Sequence, residues 1–176
     1  MPCPNCGRAI RRTARGSPRK IYCPRCRYLI YDYPRSCAGM IVVRDGKVLV
    51  LRRGHAPRRG CLDTPGGFMD AGESIEAAAR RELREETGLT VGPVELLGFY
   101  WDRYYLRGFG YFPTMNWYYL ALWRSGTPKA ADDAASVEWV PIESLGRPGQ
   151  RIAFQHMHAM FRDLKRLWRA ARRATR

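Results

Sequence analysis

GFMDAGESIEAAARRELREETGL, residues Gly67 to Leu89, is the stretch on which the reading of the whole chain turns. Pro65-Gly66-Gly67 and Asp70-Ala71-Gly72 read as turns. The run of Ala, Glu, Arg and Leu that follows reads as a helix, ended by Gly88, a residue suited to the left-handed position after a helix C-terminus. Glu82, Glu85 and Glu86 stand at i, i+3 and i+4, so about 100° of rotation per residue gathers their carboxylates on one side. A solvated helix would alternate these acids with bases four residues away, and Arg80, Arg81 and Arg84 do so only in part. Ile75, Ala78, Ala79 and Leu83 form an adjoining apolar stripe, which seats one flank on a core and leaves the acidic flank facing a cleft. Clustered carboxylates repel one another unless a hard cation lies among them. Mg²⁺ or Mn²⁺ accepts such oxygen ligands, keeps several waters and bridges to substrate phosphates.

The spacing G-x5-E-x7-R-E-(apolar)-x-E-E-x-G-(apolar) is complete here as Gly67, Glu73, Arg81, Glu82, Leu83, Glu85, Glu86, Gly88 and Leu89. It resembles the box of the Nudix hydrolase superfamily. The resemblance implies an α/β fold, the Nudix α/β/α sandwich with a mixed sheet. It also implies that Glu82 and Glu86 hold Mg²⁺ or Mn²⁺ with the carbonyl of Gly66 or Gly67, and that Glu85 is a further ligand or positions the attacking water. Glu82 and Glu85 are thus the catalytic candidates. Glu73 and Arg81 resemble the ion pair that braces the turn of the box against its helix.

Working outward, the 176 residues suffice for one domain of about 100–150 residues and a small appendage. The expected division is a ribbon at 1–35, the catalytic domain at 36–150 and a basic packing helix at 151–176. The net charge of +15 is uneven: +8 in residues 1–36, 0 in 37–150 and +7 in 151–176. Basic ends can recruit RNA or an anionic membrane surface; the alternative is a chain rich in Arg throughout. No apolar run approaches the roughly 18 residues of a membrane span, and the first residues carry no apolar signal segment, so a cytoplasmic location is expected.

Cys3-Pro-Asn-Cys6 and Cys23-Pro-Arg-Cys26 are two C-x2-C knuckles sixteen residues apart. Four thiolates at this spacing fit a structural Zn²⁺ site, which replaces the core so short a segment cannot build. A disulfide framework would need an oxidising compartment, and a redox pair would account for only one knuckle. Between the knuckles Arg8, Arg11, Arg12, Arg15, Arg19 and Lys20 make a basic finger, either a nucleic-acid contact or simply solvated. Pro34 marks the boundary to the next unit.

Ser36 to Val43 and Lys47 to Arg52 read as strands around Asp45-Gly46, a hairpin signal. Arg52, Arg53, Arg58 and Arg59 are cations that could neutralise phosphate oxygens; Arg52 is placed beside the phosphate site, while Arg58, Arg59 and His55 read as loop residues. Cys37 and Cys61 read as buried or half-buried small hydrophobes. Twelve of the 21 aromatic residues fall between Phe99 and Trp123. Trp117 to Trp123 reads as a buried strand, and Tyr100 to Phe112, interrupted by Gly108 and Gly110, as an exposed loop. That loop makes Tyr100, Trp101 and Tyr104 candidates to stack on a nucleobase.

Ser136 to Val140 reads as a late strand. Family members often carry a Glu where this chain has Ser136, and Asp133 is the substitute metal ligand, since alternation points Glu138 the other way. Ile152 to Ala171 has helical apolar spacing and a basic outer face, and His156 and His158 within it read as structural or solvated.

A zinc ribbon before such a domain resembles the NADH pyrophosphatases, some of which also remove NAD caps from RNA. Their SQPWPFP-like motif is absent here, which leaves ADP-ribose or another nucleotide sugar equally open. The expectation is therefore a metal-dependent hydrolase of the pyrophosphate linkage in a nucleoside diphosphate derivative, with oligomeric state open and a homodimer included. A nucleic-acid-binding or regulatory module with little catalysis is the alternative. An isopentenyl diphosphate isomerase, which would use Cys61, is more distant.

Overall fold

The apolar alternation of Ala38-Met40-Val42 with Ile41-Val43 fixes a strand buried on both faces, and the rest of the catalytic unit is arranged around it. The computed structural model describes residues 2–10, 20–31, 33–108 and 110–174. Arg11, Arg12, Arg15 and Arg19 of the basic finger, and Phe109 of the aromatic region, lie outside the described residues. The chain forms two units, Met1–Pro34 and Arg35–Arg176.

In the first unit β1 (Lys20–Tyr22) pairs antiparallel with β2 (Leu29–Tyr31). Each knuckle closes by the same pair of backbone bonds. Gly7 N–H donates to Cys3 O and Cys3 N–H to Arg8 O; Arg27 N–H donates to Cys23 O and Cys23 N–H to Tyr28 O. Cys3 and Cys23 are buried against Ile10.

The second unit is built on β3 (Arg35–Arg44), β4 (Lys47–Arg53), β5 (Leu62–Asp63) and β6 (Gly66–Phe68), followed by α1 (Ile75–Thr87). Then come β7 (Val94–Leu106), β8 (Gly110–Leu122), β9 (Ala134–Pro141), a 3₁₀ turn over Ile142–Ser144 and α2 (His156–Ala174). The sheet runs β5-β4-β3-β8-β7, with β6 paired to β3 and β9 to β4. It is mixed: β3 is parallel to β8 and antiparallel to β4 and β6.

Ala38, Met40 and Val42 pack with Ala78, Ala79 and Leu83 of α1. Ile41 and Val43, on the other face of β3, pack with Met157, Met160, Phe161 and Leu164 of α2. Period-2 alternation meeting two helices with apolar stripes makes an α/β/α sandwich. The C-terminal helix supplies Met157, Met160, Phe161 and Leu164 to one core cluster and belongs to the same compact unit as the box.

One expectation is corrected. Tyr100 to Phe112 is not an exposed loop: β7 and β8 form one long hairpin paired from Val94↔Ala121 to Leu106↔Gly110, with one register shift between Leu96 and Gly98. Gly108 and Gly110, at φ of +85° and +81°, fall only at its tip, so they make the turn and leave the strands intact. Among the described residues no helix is long and apolar enough to cross a membrane.

Candidate active site

The turn and helix of the box are locked to each other by one arginine. Arg81 donates from Nε and Nη2 to the two oxygens of Glu73, both at 2.9 Å, and from Nη2 to Phe68 O at 3.0 Å. Its Nη1 reaches Glu82 Oε1 at 2.7 Å and Glu85 Oε2 at 3.0 Å. A planar fork can serve several oxygens this way; an ammonium could not. The bonds from Arg81 hold the Glu73 carboxyl below the usual range. Ser74 caps α1 by accepting the Ala77 N–H at 3.1 Å, and Gly88, at φ +71°, closes it with its N–H on Arg84 O.

With the helix fixed, Glu82 and Glu86 face β6. Glu86 is only 6% exposed and accepts the Gly66 N–H at 2.9 Å. Burial, with Asp63 and Glu82 nearby, pushes its carboxyl up to about 8. Glu82 is raised too, by burial, against the opposing pull of Arg81. A Cβ at position 67 would meet Glu82 Oε1 at 2.5 Å, so only glycine lets the backbone come this close.

These groups open onto a cleft of about 330 Å³, at the lower end of the range for small-molecule sites. Its carboxylates are Asp63, Asp70, Glu82, Glu86, Asp102, Asp132 and Asp133, against Arg53, Arg81 and Arg103. Two of those arginines are already committed, Arg81 to the box and Arg53 to Asp63 at 2.9 Å. Such a cleft repels a diphosphate unless cations are added. Glu86, buried against the Gly66 turn, and its neighbour Glu82 form an all-oxygen donor set suited to Mg²⁺ or Mn²⁺. The residues fit a divalent cation.

The structure brings Gly66, Gly67, Glu82, Glu86, Asp133 and Tyr104 of the expected site to this cleft. Arg81 lines it as well, whereas Glu73, Glu85, Arg52, Tyr100 and Trp101 do not. Glu85 turns to the exposed flank beside Arg81. Arg52 is bonded to Glu138 at 2.9 Å, while Arg53 enters the cleft instead. As neighbours on β4 the two arginines point to opposite faces of the sheet, so only one of them can reach the cleft. Tyr100 donates its hydroxyl to Asp163 of α2 at 3.0 Å. Trp101 points to the opposite face of β7 and is 59% exposed.

Four cleft residues went unnoticed as functional in the sequence. Asp63 is buried, raised by burial against the pull of Arg53. Asp102 accepts from His156 Nδ1 at 2.8 Å, His156 N at 3.0 Å and Arg103 N at 2.7 Å. Burial would raise Asp102, yet these bonds hold it down at about 2. His156, 6% exposed, reaches Tyr118 OH through Nε2 at 2.9 Å. The signal for Asp102 and Tyr118 was their shared strand parity, readable only once the hairpin is known to be a hairpin. Around the mouth, Tyr104 packs on Phe68, Phe112 and Phe154 at centroid distances of 5.3, 5.7 and 5.8 Å.

In the first unit the Sγ atoms of Cys3, Cys6, Cys23 and Cys26 all lie within 4.8 Å of one another. The Cys3–Cys26 and Cys6–Cys23 separations are 3.6 and 3.7 Å. None of the four is in a disulfide. The spacings match the ~3.8 Å edge of a sulfur tetrahedron with metal–sulfur bonds of about 2.3 Å.

An α/β/α sandwich with an acidic helix set against a glycine turn defines a class of hydrolases that work on phosphate anhydrides with a divalent cation. A NUDIX domain profile matches residues 33–161, and the chain belongs to the Nudix family. It is 34% identical over 132 residues to the ADP-ribose pyrophosphatase of Methanocaldococcus jannaschii, covering 74% of this chain and 73% of that protein. It is 39% identical over 97 residues to the NAD-capped RNA hydrolase NudC of Pseudomonas aeruginosa, but that match spans 54% of this chain and only 34% of NudC. Among solved structures, a NUDIX hydrolase from Nitrosomonas europaea superposes with a TM-score of 0.67 at 26% identity, covering 94% of this chain and 88% of that one.

Proposed function

We propose that this Nudix hydrolase cleaves the diphosphate linkage of a nucleoside diphosphate derivative, with ADP-ribose as the first candidate and NADH or an NAD cap on RNA as further ones. The observation that carries the reading is the approach of Glu82 and Glu86 to Gly66 and Gly67 in one cleft. The 34% identity to an ADP-ribose pyrophosphatase, over three-quarters of the chain, favours ADP-ribose.

Mg²⁺ or Mn²⁺, held by Glu82, Glu86, a Gly66 or Gly67 carbonyl and Asp133, would neutralise the diphosphate and the charge that builds on phosphorus. Arg81 keeps Glu82 aimed at the cleft by bonding one of its oxygens. Glu82, the catalytic candidate that lines the cleft, takes the proton of the attacking water. The water oxygen bonds to one phosphorus as the bridging P–O bond breaks, so ADP-ribose and water give AMP and ribose 5-phosphate. Tyr104, within its group of rings, offers a face to the base.

In the first unit the four cysteines hold Zn²⁺ as a structural centre. The outer face of α2, with Arg162, Arg166, Arg169 and Arg173 exposed, attracts RNA electrostatically.

The test is a screen of ADP-ribose, NADH, nucleoside triphosphates and NAD-capped RNA with Mg²⁺ and with Mn²⁺, reading products by mass. Release of AMP from ADP-ribose is expected. Absence of phosphoanhydride cleavage in every combination would refute the reading.

A further inference from the structure

β7 ends the order β5-β4-β3-β8-β7, so its hairpin with β8 forms a rim of the sheet. The two faces of that hairpin differ. On one, Tyr100 is bonded to Asp163 of α2, and Asp102 and Tyr104 line the cleft. On the other, the apolar cluster around α1 takes in Val94, Tyr119 and Ala121 of the hairpin and ends there. Beyond that cover Leu96 is 53% exposed, Phe99 50%, Trp101 59%, Tyr105 44% and Tyr111 62%. The register shift between Leu96 and Gly98 adds one residue, which keeps Leu96 and Phe99 on this same face.

The pairings Phe99↔Trp117, Trp101↔Met115, Arg103↔Pro113 and Tyr105↔Tyr111 lay the face out in rows. The rings of Phe99 and Trp117 have centroids 5.0 Å apart, and those of Tyr105 and Tyr111 also 5.0 Å. The rows hold one charged side chain, Arg103, whose guanidinium lies over the Tyr111 ring at 5.3 Å.

An aromatic side chain buries about 150–250 Å² when fully covered. Four rings and a leucine, each about half uncovered, therefore leave roughly 500 Å² of apolar surface on one molecule and roughly 1,000 Å² across a symmetric pair. That reaches the lower bound for a specific interface before the half-buried Trp117, Met115 and Pro113 are added. A long apolar hairpin at a sheet edge invites association unless something covers it.

The charge pattern selects the occupant. A single-stranded nucleic acid needs cations along its phosphates. One arginine in four rows supplies no such track, and the excess positive charge of the chain lies outside residues 37–150. A second copy presents the same rows, and Arg103 sets how they meet. A two-fold axis along the strands would stack Arg103 on Arg103. A two-fold axis across them, through the Trp101–Met115 row, lays Arg103 on Phe99 and Trp117 of the second copy, and the Tyr105–Tyr111 row on its Leu96. Rows two residues apart stand ~6.7 Å from one another, about twice the separation of contacting carbons, so rings of one molecule enter between rows of the other.

We propose that the chain forms a symmetric dimer through this face of the β7–β8 hairpin, with Trp101 at the two-fold axis and Arg103 over Phe99 and Trp117 of the second copy. Because Asp102 and Tyr104 alternate with Trp101 and Arg103 along one strand, the dimer also braces the wall of the cleft. The inference is independent of which substrate the cleft takes.

The experiment measures the mass of the full chain by light scattering on a sizing column and its dimer dissociation constant by sedimentation equilibrium. Wild type is expected at twice the 20.3 kDa of the chain at micromolar concentration. Trp101→Glu sets two carboxylates against each other at the axis. It should weaken the dimer roughly thirtyfold or more, the loss typical of a central ring, while circular dichroism and a thermal melt show it folded. Tyr111→Glu, near the hairpin tip, should weaken the dimer in the same way and decides the matter if Trp101→Glu does not fold. Leu167→Glu, at an exposed leucine of α2, should leave the dimer intact and so tie the effect to the hairpin. A monomeric wild type at every concentration, or unchanged dimer affinity in either folded hairpin variant, would overturn the proposal. Equal weakening by Leu167→Glu would place the interface on α2 and overturn it as well. So would binding of single-stranded RNA by a monomeric wild type that Trp101→Glu abolishes, which would give the face to nucleic acid.

Discussion

A Cβ built on Gly67 would stand 2.5 Å from Oε1 and 2.7 Å from Cδ of Glu82. The backbone of β6 therefore comes closer to a carboxylate of α1 than any other residue type allows. Because β6 is paired to the central β3, with Ala38 opposite Gly67, the strand cannot retreat. Glu82 must be the part that moves.

Gly67→Ala is accordingly expected to cost at least a hundredfold in turnover with at most about 1–3 kcal/mol of stability. Steady-state kinetics beside a thermal melt check this. Loss of the fold instead of the activity would mean that the contact is structural.

The acidic cleft makes stability depend on the cation. A ligand that binds only the native state at a hundred times its Kd adds about 2.7 kcal/mol, so Mg²⁺ or Mn²⁺ should raise Tm by several degrees and a chelator should reverse it. Glu86→Gln keeps the volume and removes a carboxyl whose burial disfavours its charge. The variant should be as stable as wild type without metal, and its cation-induced rise in Tm should shrink. A full rise in Glu86→Gln would remove Glu86 from the metal set.

Asp102 supplies a pH dependence. Its bonds from His156 and Arg103 hold its folded pKa at about 2, below the usual 3.8. A carboxyl depressed in this way contributes stability that is fully present above its unfolded pKa and is lost as pH falls through the folded value. The contribution is about 2 kcal/mol. Urea denaturation of wild type and Asp102→Asn should differ by about that amount at pH 6, with the gap closing between pH 4 and pH 2. A gap independent of pH would mean that Asp102 acts through packing alone.

The four-cysteine cluster gives a separate expectation for the first unit. The purified protein should carry one equivalent of zinc by elemental analysis, and Cys23→Ser should lose most of it. Cys23 is fully buried, and a thiolate ligand has no replacement in a serine hydroxyl. Full zinc occupancy in Cys23→Ser would contradict the four-ligand site.

What could be read from the sequence follows from where each signal lies. The box is contiguous, and helical spacing alone puts Glu82 and Glu86 on one side, so no knowledge of the fold is needed to group them. The sandwich was readable for a similar reason: β3 alternates Met40 and Val42 against Ile41 and Val43, and the last helix carries its apolar residues at helical spacing. The His156 corner assembles from β7, β8 and the start of α2, which meet only through sheet pairing. Asp102↔Thr114 and Gly98↔Tyr118 are ladder partners that no local pattern announces. Reading Gly108 and Gly110 as marks of a loop cost the aromatic assignments, because a hairpin's parity turns Tyr104 to the cleft and Trp101 away from it. Which of Arg52 and Arg53 reaches the cleft depends on the face that β4 turns to the box, and that is fixed only once the sheet is assembled.

The central claim is that Glu82 and Glu86, set against Gly66 and Gly67, make this cleft a diphosphate hydrolase. The most direct measurement is turnover of ADP-ribose in saturating Mg²⁺ by wild type, Glu82→Gln and Glu86→Gln, each shown to be folded by its melt. The account expects wild type to release AMP and both variants to lose activity by at least a thousandfold while staying folded. Near-normal release of AMP by either variant would contradict it.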